Sequence, residues 1–211
     1  MNVSACSKKV GDLSMISKPY IETNFISDNE LDLLLDFSIN ANQVFAECSN
    51  HCPEPRWKNR TAYLSHIHPH YPEVYDAVLG INARVHSLIC ELHGTELHTE
   101  KLQFSRWMPG DCLDPPHADN VEPDGVTPNA SPWRTYGVVL YLNNDFEGGE
   151  LFYPGFDLTV KPEAKMIAVH GAGIEFTHGV KEVKQGNRHT IITFASDQTD
   201  HYQQNPHAFY I

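Results

Sequence analysis

The sequence lacks any continuous apolar stretch of the roughly 18 residues that a membrane-spanning helix requires. Its first ten residues are polar, include Lys8 and Lys9, and lack the apolar core of a secretory signal peptide. We therefore expect a soluble, intracellular protein that resides in the cytoplasm and has no membrane partner.

Basic charge is also scarce. The 211 residues include 15 lysines and arginines but 27 aspartates and glutamates, which gives a formal net charge of −12. Proteins that bind nucleic acid rely on a basic surface to neutralise phosphates. We therefore expect no nucleic-acid partner.

Cysteines are few, odd in number and irregularly spaced: Cys6, Cys48, Cys52, Cys90 and Cys112. This pattern does not predict a disulfide framework. His51 lies beside Cys52, but no second pair of ligands follows at the spacing of a zinc site. We interpret the cysteines as free thiols. The alternating His66, His68 and His70 are interpreted as solvated loop residues rather than metal ligands.

Two helices are predicted in the first half of the chain. Ser27 and Glu30 have the spacing of a capping box and precede an apolar stripe. Pro72 suits the first turn of a second helix, whose apolar residues recur at helical spacing until Gly94. The intervening residues 42–63 contain two prolines and are predicted to form a long loop.

From residue 100 onward the pattern changes to short strands separated by turns. Strands are predicted over residues 102–107, 134–142, 149–153, 158–161, 165–170, 174–178 and 188–195. Residues 134–142 are apolar on both faces, as in a central strand. The fold class is therefore predicted as α+β, mainly β, with a sandwich or jelly roll and the two helices packed outside it.

The chain length fits a single domain. We expect a poorly ordered lead-in over residues 1–18 and one domain over 19–211. Within that domain we predict helical support, a β core and a polar tail over residues 27–94, 100–196 and 197–211, respectively.

The segment after the strand at 102–107 carries the sequence His117-Ala-Asp119. Residues i and i+2 of an extended chain point to the same side, so both side chains can reach one metal ion. A third donor must come from elsewhere, and His178 is the candidate. Two imidazoles and one carboxylate leave half of an octahedron open, which is typical of non-haem Fe(II) oxygenases. Arg188 follows ten positions later, and a guanidinium in the mouth of a β-barrel requires an anion, such as a dicarboxylate.

Further motifs follow one another along the chain. They are Trp107-Met-Pro-Gly110, His117-Ala-Asp119, Arg134-x6-Tyr141-Leu-Asn143, Gly148-Gly-Glu-Leu151, His178-Gly-Val180 and Gly186-Asn-Arg188. Together they resemble the 2-oxoglutarate- and Fe(II)-dependent dioxygenases, and within these the prolyl 4-hydroxylase-like branch. The resemblance covers about residues 100–196.

This resemblance implies a double-stranded β-helix core, and it implies roles for residues within that core. His117, Asp119 and His178 would bind Fe(II). The co-substrates would be 2-oxoglutarate and O2, and ascorbate is a candidate reductant. Arg188 would pair with the far carboxylate of 2-oxoglutarate, and Tyr141 would donate its phenol to the same group. No catalytic residue is expected beyond the metal centre.

Two more side chains are expected near the co-substrate, namely Thr190 and Trp107. Many relatives carry tyrosine where Trp107 stands, and an indole can donate a hydrogen bond but cannot accept one. Four side chains flank the strands that should line the site and are candidates for substrate binding: Arg106, Arg134, Trp133 and Tyr153.

The resemblance implies hydroxylation of an unactivated C–H bond, in peptidyl proline first of all. The alternative is a free amino acid or another small metabolite, and two long segments, 46–63 and 121–133, could act as lids over either substrate. Asp119 argues against a halogenase, which would carry a small residue there. Dioxygenases that repair alkylated nucleic acid are another alternative. They usually carry a second arginine six positions after the first, and Phe194 at that position argues against them. A cupin-like binding module without turnover is a further alternative. The sequence predicts no oligomeric state.

Overall fold

The computed structural model describes residues 16–49, 58–67 and 70–204. Most of the predicted lead-in over residues 1–18 lies outside these ranges. Of the cysteines and histidines considered above, Cys6, His51, Cys52 and His68 lie outside them.

Both predicted helices are confirmed. Helix α1 (Asp28–Asn40) begins at the capping box, in which the Ser27 hydroxyl accepts a hydrogen bond from the Glu30 amide and the Glu30 carboxylate accepts one from the Ser27 amide. Helix α4 (Pro72–His93) has proline in its first turn and ends at Gly94, whose φ of 85° is readily adopted by glycine.

The predicted loop over residues 42–63 is wrong in part. Its first eight residues form helix α2 (Asn42–Ser49), and its end forms strand β2 (Thr61–Tyr63), which leads into helix α3 (Leu64–Ile67). Val44, Phe45 and Cys48 are buried on one side of α2. This apolar stripe is only one turn long, so the prolines farther along the chain outweighed it in the prediction.

Twelve further strands complete the described β structure. They are β1 (Tyr20–Glu22), β3 (His98–Thr99), β4 (Gln103–Trp107), β5 (Leu113–His117), β6 (Tyr136–Tyr141), β7 (Glu147–Gly148), β8 (Leu151–Tyr153), β9 (Leu158–Val160), β10 (Ile167–Gly171), β11 (His178–Val180), β12 (Val183–Gln185) and β13 (Arg188–Ser196).

The strands form two main antiparallel sheets. The larger has the order β1-β10-β6-β13-β4-β2, with β3 also pairing with β13. The smaller has the order β5-β11-β8-β9, and β7 and β12 form a separate pair. The predicted jelly roll with external helices is confirmed, and strand β6 is central and buried on both faces, as its composition predicted.

Two apolar cores lie on opposite faces of the larger sheet. On the outer face, Val138 and Leu140 of β6 belong to the core formed with the buried stripes of α1, α2 and α4. On the inner face, Tyr141 belongs to a smaller core with residues of β8 and β11. Because strand side chains alternate between faces, β6 contributes to both cores. The helices cover only the outer face, so the inner face, between the two sheets, is available for a functional site.

The predicted strand over residues 174–178 is wrong at its start. Ile174–Phe176 forms a 3₁₀ turn, and strand β11 begins only at His178. A Cβ atom at Gly171 would lie 2.5 Å from the Phe176 ring, so the ring packs directly against the glycine backbone. The chain must fold back to make this contact, and an extended strand could not.

The C-terminal segment contains a helix that the polar composition did not predict. Helix α5 (Thr199–Gln204) packs its aromatic side chains against the body of the fold. His201 stacks on Trp133 at 3.9 Å and Tyr202 stacks on His98 at 4.0 Å between ring centroids. Within the described ranges no helix combines the length and apolarity that crossing a bilayer would require.

Candidate functional site

Strand pairing brings together the two histidines that the sequence places 61 positions apart. In the antiparallel pair β5–β11, His117 lies directly opposite His178, and their ring centroids are 4.8 Å apart. Asp119 lies two residues beyond His117, just past the end of β5, where its amide donates to the carbonyl of Ala172 at 2.9 Å. The end of the strand therefore positions the carboxylate beside both rings.

These three side chains form a compact set of donor atoms. One atom from each of His117, Asp119 and His178 lies within 4.8 Å of the others. The Oδ1 atom of Asp119 is 3.4 Å from His117 Nε2 and 4.0 Å from His178 Nε2. Neighbouring ligand atoms of an octahedral ion are separated by about 3 Å when the bonds are about 2.1 Å long. Small side-chain rotations would therefore suffice to hold one ion.

The protonation of these groups also suits a metal. Burial lowers the pKa of His178 to about 3, and repulsion from His170 contributes, so the ring is neutral at pH 7. Its Nδ1 donates to the carbonyl of Phe176 at 3.0 Å, which leaves the Nε2 lone pair facing the site. Burial alone would raise the pKa of Asp119, but attraction to His178 and hydrogen bonds from His117 and His170 hold it well below its usual value.

A cavity of about 280 Å³ between the two sheets connects this centre to Arg188. The Arg188 side chain is 2% exposed, and its Nη2 donates to the hydroxyl of Tyr141 at 3.3 Å. Its Nε has no hydrogen-bond partner, and no carboxylate pairs with the guanidinium, among the described residues. A buried cation without an anion is costly, so this end of the cavity is suited to a negatively charged ligand.

Aromatic and hydroxyl groups surround the guanidinium. The ring centroids of Tyr141 and Trp107 lie 4.9 Å and 5.2 Å from Arg188 Cζ. Thr190, two residues farther along β13, is fully buried, and its hydroxyl has no hydrogen-bond partner within the described residues. The four residues expected at the co-substrate therefore lie together, and two of them have polar atoms left over for a ligand.

The four candidate substrate residues do not lie together. Arg134 lines the cavity, where it binds Glu100 through Nε and Nη2 at 3.0 Å each and stacks over Phe194 at 3.3 Å. Trp133 instead donates to the same glutamate at 3.0 Å and stacks on His201. Only Arg134 faces the space in which a substrate could bind.

Arg106 and Tyr153 lie away from the mouth. Arg106 points to the outer face of the larger sheet, where it binds the carbonyls of Ser38 and Ile39 and packs 3.5 Å from the centroid of Phe45. Strand alternation places it opposite the cavity-lining residues of β4. Tyr153 is fully buried behind the donor set, where its hydroxyl contacts His170 Nδ1 at 2.8 Å. The structure does not bring either residue to the substrate path.

Part of the chain matches a known protein family. Residues 102–196 match the family model described as 2OG-Fe(II) oxygenase superfamily. This segment is similar to members of that superfamily. It contains every residue of the donor set and the arginine.

Curated relatives of the chain include human prolyl 3-hydroxylase 3, which is 33% identical over 105 residues, and human prolyl 3-hydroxylase 1, which is 28% identical over 129 residues. These matches cover 44% and 56% of the chain. The chain spans only 14% and 16% of the length of those relatives.

Solved structures share the oxygenase fold. A viral collagen prolyl hydroxylase from Paramecium Bursaria Chlorella virus-1 superposes with a TM-score of 0.64 at 17% identity, covering 93% of this chain and 98% of that one. A Trichoplax adhaerens prolyl hydroxylase, in complex with a hypoxia inducible factor peptide fragment, gives 0.64 at 22% identity, covering 88% and 86%. The predicted resemblance to prolyl-hydroxylase-like oxygenases is confirmed.

One residue beside the donor set was not predicted from the sequence. His170, at the end of β10, is 2% exposed, and its Nε2 lies 3.2 Å from Asp119 Oδ2. The sequence offered one signal, since His170 ends a predicted strand that is followed along the chain by the segment carrying His178. Thirteen histidines in the chain made that signal too weak to single it out.

Proposed function

We propose that this protein is a 2-oxoglutarate- and Fe(II)-dependent oxygenase that hydroxylates prolyl residues of a polypeptide. The observation that carries the proposal is the single cavity that holds three converging metal donors at one end and the buried Arg188 at the other. One end offers three donor atoms to a cation, and the other offers a guanidinium to a carboxylate.

The donor set fits Fe(II) by its chemistry. Two neutral imidazoles and one carboxylate leave positions open for a chelating co-substrate and O2, which a closed four-ligand site would not. In this proposal His117, Asp119 and His178 hold the ion. When bound, Fe(II) and 2-oxoglutarate supply the chemistry in which R–H, O2 and 2-oxoglutarate become R–OH, succinate and CO2, with ascorbate available to return oxidised iron to the ferrous form.

The remaining residues bind and orient. Arg188 pairs with the far carboxylate of 2-oxoglutarate, and the Tyr141 hydroxyl, 3.3 Å from its Nη2, donates to the same group. The Thr190 hydroxyl lies on the same side of β13 as the guanidinium and is free to donate to that carboxylate. Trp107 and Tyr141 enclose the ion pair with aromatic rings, which exclude water and strengthen the attraction.

A polypeptide substrate is supported by the shape of the cavity. A second depression of about 450 Å³ adjoins it, and the lining residues that the two share include Tyr63, Gln103 and Arg134. The lining of this depression also includes the charged residues Glu100 and Lys101. A free amino acid needs no such extension, whereas an extended chain with one residue at the metal centre would occupy it. The peptide-bound Trichoplax adhaerens structure offers a precedent in the same fold.

The test is turnover by the Fe(II)-loaded protein with 2-oxoglutarate and O2, offered either a proline-rich peptide or free L-proline. We expect succinate and singly oxygenated peptide in equal amounts, and no product from L-proline. Amino-acid analysis of the product assigns the hydroxyl to ring carbon 3 or 4, which matters because the curated relatives are prolyl 3-hydroxylases. His178→Ala should abolish both products, and the matched control is His70→Ala, which alters an exposed histidine outside the cavity.

Each other outcome selects a different function. Hydroxylation of L-proline but not of the peptide would make the protein a small-metabolite hydroxylase. The absence of succinate from protein that has bound iron would leave a binding module, and it would overturn the proposal.

A further inference from the structure

Behind the proposed iron ligands lies a buried polar chain that the proposed function leaves unused. It runs from the hydroxyl of Tyr153 to His170 Nδ1 at 2.8 Å, and from His170 Nε2 to Asp119 Oδ2 at 3.2 Å. All three side chains are nearly inaccessible to solvent. Buried polar side chains are stable in a core only when their hydrogen bonds are made, so these three side chains depend on one another.

The chemistry of the two ends fixes the direction of the hydrogen bonds. An ionised Asp119 can only accept, so His170 Nε2 must carry the proton that it donates. A neutral imidazole then has a lone pair on Nδ1, and that lone pair accepts from the hydroxyl of Tyr153. Tyr153 therefore selects the tautomer in which His170 presents a donor to the carboxylate.

The backbone provides the space for this contact at Gly137. A Cβ atom at this position of β6 would lie 2.5 Å from His170 Nε2 and 2.6 Å from Asp119 Oδ2. Both distances are shorter than real Cβ contacts allow, so any larger residue would push between the two groups. Gly137 thus has a local reason to be glycine near the start of a central strand, where glycine otherwise weakens the strand.

The two carboxylate oxygens of Asp119 consequently face different partners. Its Oδ1 is the atom beside the Nε2 atoms of His117 and His178, at 3.4 Å and 4.0 Å, whereas Oδ2 points away from them towards His170. A carboxylate without such a partner can rotate and bind a metal through both oxygens. The second oxygen would then occupy a coordination position that a chelating co-substrate needs.

We propose that His170, oriented by Tyr153, is a positioning residue that holds Asp119 as a one-oxygen ligand and so keeps the facing coordination positions open. The inference rests on the proposed function, because it takes Asp119 to be an iron ligand. It adds two residues that are not themselves metal donors and that act through Asp119. Their effect would appear in metal affinity and in co-substrate affinity, both of which can be measured without turnover.

The experiment titrates the full chain with Mn(II), and then titrates the Mn(II)-saturated protein with 2-oxoglutarate, following heat. His170→Phe fills the space but removes the donor, and we expect Mn(II) binding about 10–100-fold weaker, the usual effect of losing a hydrogen bond to a ligand. His170→Gln can still place an amide donor near Asp119, and it should recover most of the affinity. Tyr153→Phe frees the tautomer and should cause a smaller loss than His170→Phe.

The chain offers a matched control in a second buried histidine–tyrosine pair. His93 Nδ1 contacts the hydroxyl of Tyr136 at 3.0 Å, and the ring centroids are 5.4 Å apart, the same separation as in the pair of Tyr153 and His170. His93→Phe should disturb packing to a similar extent yet leave both affinities unchanged. Equal losses in His93→Phe and His170→Phe would reduce the effect to general destabilisation and overturn the inference.

A substitution at Gly137 tests the inference independently. Gly137→Ala removes no side chain of the polar network but forces His170 and Asp119 apart, so it should weaken Mn(II) binding as His170→Phe does. If His170→Phe and Gly137→Ala both left the affinities for Mn(II) and 2-oxoglutarate unchanged, the inference would be overturned but the proposed function would stand. If the wild-type protein failed to bind Mn(II) in a 1:1 ratio, or bound it equally well after His178→Ala, the proposed function itself would fail.

Discussion

Replacing Arg188 with methionine should have opposite effects on folding and on binding. The guanidinium is 2% exposed, and its one described hydrogen bond goes to the Tyr141 hydroxyl at 3.3 Å. Methionine has a similar length and no charge, so it fills the space without the penalty of burying a cation. We therefore expect Arg188→Met to stabilise the ligand-free protein while removing its affinity for 2-oxoglutarate.

The magnitude follows from three contributions. Burying an ion without a counter-charge costs several kcal/mol, about 4. The hydrogen bond to the Tyr141 hydroxyl returns about 1 kcal/mol, and the rings of Tyr141 and Trp107 together return about 1–2 kcal/mol through cation–π attraction. The free energy of unfolding should therefore rise by about 1–2 kcal/mol in the variant.

The assay is urea denaturation in the presence of Mn(II), with and without 2-oxoglutarate. At a concentration about 100-fold above its Kd, 2-oxoglutarate should stabilise the wild-type protein by about 2.7 kcal/mol and Arg188→Met by almost nothing. Arg106→Met serves as the control. Arg106 is hydrogen-bonded to the carbonyls of Ser38 and Ile39, so its loss should destabilise the protein by about 1–3 kcal/mol and leave the effect of 2-oxoglutarate intact.

Either of two results would refute this reasoning about Arg188. If Arg188→Met destabilised the ligand-free protein as much as Arg106→Met does, the guanidinium would be a structural group satisfied by its surroundings. If 2-oxoglutarate stabilised the variant as much as the wild type, the anion would bind elsewhere.

Three further predictions concern stability. Burial, with repulsion from a nearby arginine, lowers the pKa of His189 from 6.5 to about 4, so the unfolded chain takes up this proton at a higher pH than the folded one. The free energy of unfolding should therefore be greatest above pH 6.5 and fall by up to about 3 kcal/mol towards pH 4. His189→Asn should remove this part of the pH dependence, as measured by denaturation at a series of pH values. Ser27→Ala removes the side-chain acceptor that begins α1 and should lower the urea midpoint by the equivalent of about 1 kcal/mol. Gly148 and Gly110 both have positive φ, 76° and 92°, but only at Gly148 would an added Cβ collide with a neighbouring carbonyl oxygen. Gly148→Ala should therefore lower the free energy of unfolding by at least about 2 kcal/mol more than Gly110→Ala does. Equal urea midpoints for the two variants would contradict this.

The sequence was most informative where local chemistry decides structure. The capping box at Ser27 and the glycine after His93 delimit their helices in the structure, because both signals act through neighbouring backbone groups. The order of His117, Asp119, His178 and the arginine was informative for a different reason. Each of these residue types at that spacing serves one kind of chemistry, so their joint occurrence is rare.

Contacts between segments distant in sequence could not be predicted from the sequence. Nothing near His170 in the chain indicates that its ring meets Asp119, 51 positions earlier, because sheet register brings the two together. The same limit applies to Arg106, which was expected at the site. Strand β4 presents alternate residues to opposite faces, and one position decides whether an arginine meets the cavity or the helices.

The most direct test of the central claim is the visible charge-transfer absorption of ferrous iron chelated by an α-keto acid, recorded without oxygen. Adding 2-oxoglutarate to the Fe(II)-loaded protein should produce this band at a 1:1 ratio. The band should be lost in His178→Ala and should require far more 2-oxoglutarate in Arg188→Met. Iron that binds the wild-type protein but yields no such band would contradict the claim that three side chains hold the metal with its open positions facing the arginine.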